Sequence, residues 1–273
     1  MSRQRVVPWA LLAVLVLAQI CYPLTTGGTR ARLTVATVVL GYLLAVSHAL
    51  LSRGPRAAAA LVAVATGGGF AIEALGVATG FPFGSYDYSG ELGPKLAGVP
   101  LIIPLAWTWM AWPAWLTAVR LTSSALGRIA LAAVGLAAWD LFLDPQMVAE
   151  GYWIWRDATP ALPGLPGVPV SNYLGWLLFA VLLMGALRPL AGPTAGHTDG
   201  RDAPMFALYL WTYFSSVLAH AVFLDLPASA AWGAVGMAVA AVPLTVALLR
   251  ARRDDVDRAQ PRRLRRSGVD ATA

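Results

Sequence analysis

Long apolar runs dominate the chain, and short polar or Gly/Pro-rich segments separate them. A transmembrane helix needs about 20 predominantly apolar residues, and eight runs come close to this length. They predict helices over residues 7–24, 31–51, 57–79, 100–119, 124–144, 171–188, 204–224 and 228–250. Only the connections at 80–99, 145–170 and 189–203 have room for structure of their own. The pattern therefore predicts an all-α, polytopic transmembrane bundle of about eight helices.

Composition supports a membrane protein. Of the 273 residues, 58% are hydrophobic and 12% are charged, whereas a soluble domain carries about 25% charged residues. We expect residues 1–250 to form a transmembrane domain in the lipid bilayer and the Arg-rich residues 251–273 to form a disordered tail. Because much of the net charge of +6 lies in that tail, it indicates anionic lipid rather than a nucleic acid as the partner.

The basic residues predict the orientation. With eight spans, both termini lie on one face of the membrane, and sixteen of the twenty Lys and Arg residues fall on that face. The other face holds Arg30, Arg32, Lys95 and Arg156. Basic residues accumulate on the cytosolic side of membrane proteins. We therefore expect a multi-pass plasma-membrane protein with cytosolic termini.

Acidic residues gather at the opposite, outer face. Glu73 lies about six residues before the outer end of the third helix, so about 9 Å deep, and a glycine run at 67–69 precedes it. Asp140 and Asp144 have the i, i+4 spacing that puts two side chains on one helix face. Ionisable groups inside a membrane usually face a cavity or a partner. Glu73 and Asp140 are the best functional candidates, while for Asp144, which precedes Pro145, a structural role is an equal alternative.

The outer loops are rich in aromatic residues, notably at Tyr86–Tyr88 and at 151–155. Trp and Tyr commonly form belts at membrane interfaces, and we expect Trp112 and Trp115 of the fourth helix to belong to one. The loop aromatics lie beside several acids, which favours a role at a site.

Four motifs carry a family resemblance. They are Glu73-x-x-Gly76-x-x-Thr79-Gly80-x-Pro82-Phe83-Gly84-x-Tyr86-x-Tyr88, Asp140-x-x-x-Asp144-Pro145, Gly151-Tyr152-Trp153 and Ser171-Asn172-Tyr173-x-Gly175-Trp176. Together they resemble the membrane-bound carotenoid-biosynthesis hydratases, of bisanhydrobacterioruberin hydratase and γ-carotene 1′-hydratase type. The resemblance covers about residues 30–250 and is densest at 73–176.

The resemblance implies a hydro-lyase type of enzyme that adds water to the terminal C=C bond of an acyclic carotenoid end group. It implies a lipophilic carotenoid substrate, no cofactor or metal, and other carotenoid-pathway enzymes as partners. An isolated alkene is a poor base, so the reaction needs a positioned acid that stays protonated near neutral pH. Burial favours the protonated form of a carboxyl. Glu73 fits this acid, and Asp140 is the alternative.

The remaining candidates follow from the same chemistry. A second carboxylate, Asp140 or Asp144, would deprotonate the water, and Asn172 would hold it. Aromatic faces stabilise a cation. The other expected substrate contacts are Tyr86, Asp87, Tyr88, Trp139, Trp153 and His220, with a buried structural role as the alternative for His220.

Two other functions remain open from the sequence. Asp140-x-x-x-Asp144 looks like the acid-rich motif with which intramembrane prenyltransferases bind Mg²⁺ and a diphosphate, but the sequence carries no second motif of this kind. A carotenoid carrier or transporter would use the acids to bind protons or to line a path. Transporters commonly contain paired repeats, and no repeat is visible in the sequence.

Overall fold

A computed structural model describes residues 3–259 of the chain. Its helices are α1 (Arg3–Cys21), α2 (Gly27–Arg53), α3 (Pro55–Leu61), α4 (Gly68–Thr79), α5 (Ile103–Leu121), α6 (Ala125–Ala137), α7 (Asp140–Ala149), α8 (Val170–Leu190), α9 (Ala203–Val222) and α10 (Pro227–Ala259). A π-helical segment, Val62–Gly67, joins α3 to α4, and a turn at 138–139 joins α6 to α7. The ten helices thus form eight long segments, and the predicted all-α bundle is confirmed.

Seven of these segments, within the described residues, are long and apolar enough to cross a membrane. The protein is therefore a multi-pass membrane protein. The eighth segment, α5, is the central helix: it contacts α2, α4, α6, α9 and α10, and sixteen of its nineteen residues are buried. Because α5 faces other helices rather than lipid, it accommodates four tryptophans and two threonines that lower its hydropathy.

The tryptophans of α5 are not interfacial anchors. Trp112 and Trp115, which the sequence placed in a belt, are at most 1% exposed. The indole nitrogen of Trp112 donates to Nδ1 of His48 on α2, and that of Trp115 donates to the carbonyl oxygen of Ala195. The belt prediction was wrong because a window of aromatic residues does not distinguish a lipid interface from a helix enclosed on all sides.

Four short strands cap one face of the bundle, which is named the outer face after the predicted orientation, the opposite face being the inner face. The strands are β1 (Tyr86–Tyr88), β2 (Lys95–Leu96), β3 (Val99–Pro100) and β4 (Trp153–Trp155). Strands β1 and β4 pair antiparallel, with Tyr86 opposite Trp155 and Tyr88 opposite Trp153. Alternate residues of a strand point to opposite faces. The four aromatic rings therefore lie on the inner face of this ribbon, above the helices.

The last helix is longer than the sequence predicted. Helix α10 continues to Ala259, nine residues beyond the predicted boundary at 250. The rest of the predicted tail, residues 260–273, lies outside the described residues.

Candidate active site

A cavity of about 150 Å³ lies beneath the outer cap, and it brings most of the predicted site residues together. Its walls come from α1, α2, α4, α5, α7, α8 and α9 and from the ribbon of β1 and β4. The predicted residues that line it are Glu73, Tyr86, Tyr88, Trp139, Asp144, Trp153, Asn172 and His220. Asp140 and Asp87 are not part of the lining.

Glu73 is 4% exposed and accepts hydrogen bonds from three neutral donors. Its Oε2 accepts from the hydroxyls of Tyr86 at 2.6 Å and Tyr88 at 2.8 Å, and its Oε1 accepts from Nε1 of Trp107 at 3.0 Å. Burial, followed by the neighbouring Glu73 carboxylate, raises the pKa of both phenols, so they remain protonated donors. Three donors that point at one carboxyl lower the free-energy cost of its charged, accepting form, whereas burial raises that cost.

Two glycines make this arrangement possible. Gly69 and Gly76 flank Glu73 on the same face of α4, four residues before it and three residues after it. A Cβ on Gly69 would lie 3.0 Å from the ring of Trp107, and a Cβ on Gly76 would lie 2.9 Å from the hydroxyl of Tyr86. The small residues around Glu73 therefore provide space for its hydrogen-bond donors.

Asp140 and Asp144 form a second carboxyl cluster on α7. Their carboxyl groups lie close together, because both contact one amide nitrogen of Asn172, and two like charges this close favour a state in which one of them is protonated. Nδ2 of Asn172 donates to Oδ2 of both aspartates, at 2.7 Å for Asp140. Nε1 of Trp153 donates to Oδ1 of Asp144 at 3.1 Å, whereas Oδ1 of Asp140 has no partner among the described residues. One proton on the pair is therefore the favoured state, and Asp144 is the member that lines the cavity.

Neither carboxyl cluster has a cationic partner. In the described part of the chain, no Lys, Arg or His side chain forms an ion pair with Glu73, Asp140 or Asp144. Burying an ionised carboxylate without compensation costs several kcal/mol. Neutral hydrogen-bond donors take the place of a counter-ion here.

His220 contacts Gln146, which lines the cavity and was not among the site residues predicted from the sequence. Pro145 has no N–H, so within α7 the carbonyl of Leu141 loses its usual donor four residues later. The hydroxyl of Ser229 donates to this carbonyl at 2.7 Å and contacts Nδ1 of His220 at 2.8 Å. Nε2 of His220 contacts Oε1 of Gln146 at 3.0 Å. His220 thus fixes the amide of Gln146 at the cavity wall instead of touching the acids.

Aromatic rings form much of the remaining wall. Trp107 stacks on Trp176 with ring centroids 3.7 Å apart, and Trp139 packs edge-on against Trp176. The ring of Tyr86 lies 5.6 Å from that of Trp155. Trp107 lies four residues after the start of α5, at a depth close to that of Glu73. This similar depth could have identified Trp107 as a site residue from the sequence. Such walls suit an apolar ligand and any positive charge that develops on it.

Asp87 lies on the outer face of the β1–β4 ribbon, away from the cavity. Its carboxylate forms a two-point ion pair with Arg156, 2.8 Å at each contact, and both side chains are more than half exposed. The hydrogen bond from Arg156 holds the pKa of Asp87 below its usual range. Asp87 therefore does not line the cavity, because residues 86 and 88 face inward and residue 87 faces outward.

Fold and site together define a multi-pass membrane protein with an aromatic cavity and buried carboxyl groups near one face. The chain belongs to a family described as carotenoid biosynthesis proteins, whose sequence profile matches residues 33–248. It is similar to bisanhydrobacterioruberin hydratase of Haloarcula japonica, with 39% identity over 136 residues. The match covers 47% of this chain and 44% of that relative's length. No solved structure matches the chain.

Proposed function

We propose that this protein is a carotenoid hydratase that adds water to the terminal C=C bond of an acyclic carotenoid end group. The observation that carries the proposal is the cavity itself, in which Glu73 and Asp144 line one aromatic chamber, Asn172 links Asp144 to Asp140, and the described lining contains no Lys or Arg. The similarity to a hydratase of the same family supports the substrate class.

The aspartate pair is the proton donor in this proposal. Hydration begins when a proton adds to the less substituted carbon of the double bond and leaves a tertiary carbocation. Asp144 faces the cavity and shares a proton with Asp140, so it can deliver that proton to the alkene while Asn172 and Trp153 hold its oxygens in place. The donors around Glu73 argue against the role of acid that the sequence favoured for it.

Glu73 is the base in this proposal. Its negative charge and the faces of Trp107 and Trp176 stabilise the carbocation. Water then forms the new C–O bond, and Glu73 accepts the proton that the water loses. The amide of Gln146, held by His220, orients this water. Proton return from Glu73 to the aspartate pair completes the cycle, and no electrons are exchanged with any cofactor.

The location of the cavity suits this reaction. Glu73 lies about 9 Å below the outer end of its helix, where a membrane-dissolved end group and water from outside can both arrive. In the orientation that the basic residues predict, the cavity opens near the non-cytosolic face of the plasma membrane, and both termini are cytosolic.

The cavity is poorly suited to a prenyltransferase. Among the described residues that line it, none is Lys or Arg. A diphosphate is normally held by cationic side chains or by metal ions, and acid groups that share a proton are poor metal ligands. This contrast favours an uncharged substrate.

Expression in a host that accumulates acyclic carotenoids tests the proposal. We expect a new pigment that is heavier by one molecule of water per modified end, detected by mass spectrometry. Glu73→Gln should abolish this product while the protein still accumulates in the membrane. Unchanged pigment with an altered distribution would indicate a carrier, and normal conversion by Glu73→Gln would refute the role of Glu73.

A further inference from the structure

The cavity is too small for a whole carotenoid. An apolar cavity of about 150 Å³ holds a benzene-sized molecule, and the cavity of this protein has a similar volume. One branched end group fits, but the long polyene does not. If the proposed function holds, the polyene must therefore leave the cavity through one of its walls while the end group reacts.

Most of the walls are closed by buried side chains. Trp107, Trp139, Phe142 and Trp176 are each at most 5% exposed and are backed by other helices. The outer cap is closed in the same way by the inward rings of β1 and β4. Half-buried residues also line the cavity from α2 and α7, but the wall between α1 and α9 has the largest group of them, four residues contributed by the two helices. These residues are Gln19, Ser215, Ser216 and Ala219.

Helices α1 and α9 are weakly connected along this wall. In the described part of the chain, one side-chain hydrogen bond joins them, from Nε1 of Trp211 to Oε1 of Gln19 at 2.8 Å. The half-buried α9 residues that line the cavity, Ser215, Ser216 and Ala219, are small, whereas Phe214 and Leu218 on the neighbouring face are 62% and 45% exposed and face lipid. Ser216 lies six residues before the outer end of α9, so about 9 Å deep, which is the depth of Glu73.

We propose that the seam between α1 and α9 is a lateral portal that admits the end group of a linear polyene from the bilayer. The polyene then stays in the seam, against Ser215, Ser216 and Ala219, during the reaction. This proposal rests on the proposed function, because it takes an acyclic carotenoid as the ligand.

A matched pair of bulky substitutions tests the portal. Ala219→Trp fills the seam, whereas Leu218→Trp adds the same ring to the adjacent lipid-facing position. We expect Ala219→Trp to reduce both pigment uptake by the purified protein and its conversion by more than tenfold, with Leu218→Trp close to wild type. Equal behaviour of the two variants would overturn the portal.

A reversible cross-link separates a closed portal from a damaged site. Gln19→Cys and Trp211→Cys are combined in a Cys21→Ser background and joined by a reducible bifunctional thiol reagent. We expect the cross-linked protein to take up no acyclic carotenoid and to recover uptake and conversion on reduction, while single-cysteine controls are unaffected. Undiminished uptake by the cross-linked protein would refute the portal. Uptake without hydration by the uncross-linked parent would instead refute the hydratase assignment and leave the portal supported.

Discussion

Two regions of this protein bury carboxyl groups, and they do so in opposite ways. Near the inner face, Asp202 is fully buried, and both of its oxygens lie 2.7 Å from Nη2 of Arg53. Nε2 of His48 lies 3.6 Å from Oδ1 of the same group, and the backbone N–H of Asp199 donates to Oδ2. Near the outer face, Glu73 and the aspartate pair have only neutral donors and each other.

The difference favours a structural role for the inner carboxylate and makes the outer carboxyl groups the candidates for catalysis. The inner carboxylate is paired with Arg53, and its bonds tie the end of α2 to the beginning of α9, as a structural role requires. The outer groups have no cationic partner among the described residues, and Glu73 and Asp144 border a cavity. Groups in this second state can exchange protons with a ligand.

The largest expected effect comes from the proton donor. Asp144→Asn removes the acid that faces the cavity but keeps the size of the side chain. We expect hydration to fall on the order of 10²–10⁴-fold, measured as product per folded protein. Asp202→Asn is the matched control at the inner face, and its folded fraction should convert substrate at the wild-type rate. A similar loss of turnover in both variants would contradict the division into a chemical and a structural region.

The inner ion pair should affect stability instead. Arg53→Met leaves Asp202 buried without its partner, and breaking a buried pair in this way costs about 3–5 kcal/mol. We expect a lower unfolding midpoint in detergent, with turnover per folded molecule unchanged. Wild-type stability in this variant would show that Asp202 does not depend on Arg53.

Removal of one donor from Glu73 should have an intermediate effect. Tyr88→Phe deletes one of the two phenols that donate to Oε2, and a hydrogen bond to a charged group contributes about 1.5–3 kcal/mol. We expect turnover to fall about 10- to 100-fold. Tyr209→Phe is the control, because the hydroxyl of Tyr209 donates to the backbone of Gly135. Equal rates for the two variants would mean that the phenol of Tyr88 does not support Glu73.

The smallest effect is expected at Asp87. Its pKa is depressed by Arg156, so the ion pair adds stability above the unfolded-state pKa of about 3.9 and loses it as the pH falls through the lower folded-state value. Between pH 5 and 8, the difference in unfolding midpoint between Asp87→Asn and wild type should therefore stay constant, and turnover should remain near wild type. A difference that changes across this range, or a large loss of turnover, would contradict the outward placement of Asp87.

The sequence was sufficient to predict the helical bundle and the positions of the acidic residues along it. Apolar runs of transmembrane length set the number of helices, and the spacing of Asp140 and Asp144 put both on one face of α7. The gathering of Glu73, Asn172 and the loop aromatics near one end followed from their distances to the predicted helix ends. These features depend on local pattern and on chain direction alone.

The remaining features depend on contacts between distant residues. Strands of three residues, such as Tyr86–Tyr88, are too short to be recognised by an alternating pattern. The outward orientation of the Asp87 side chain was therefore not predicted. Burial of Trp112 depends on which helices surround α5. The roles proposed for the carboxyl groups depend on their hydrogen-bond donors, such as Nε1 of Trp107 beside Glu73, and these contacts cannot be predicted from the sequence.

Isotope labelling of the oxygen tests the central claim most directly. Purified protein is incubated with an acyclic carotenoid in water enriched in oxygen-18, and the product is analysed by mass spectrometry. We predict one labelled oxygen per modified end, formed without any reductant or oxidant, and no labelled product from Asp144→Asn. An unlabelled hydroxyl, or full labelling with Asp144→Asn, would contradict acid-catalysed hydration at the outer carboxyl groups.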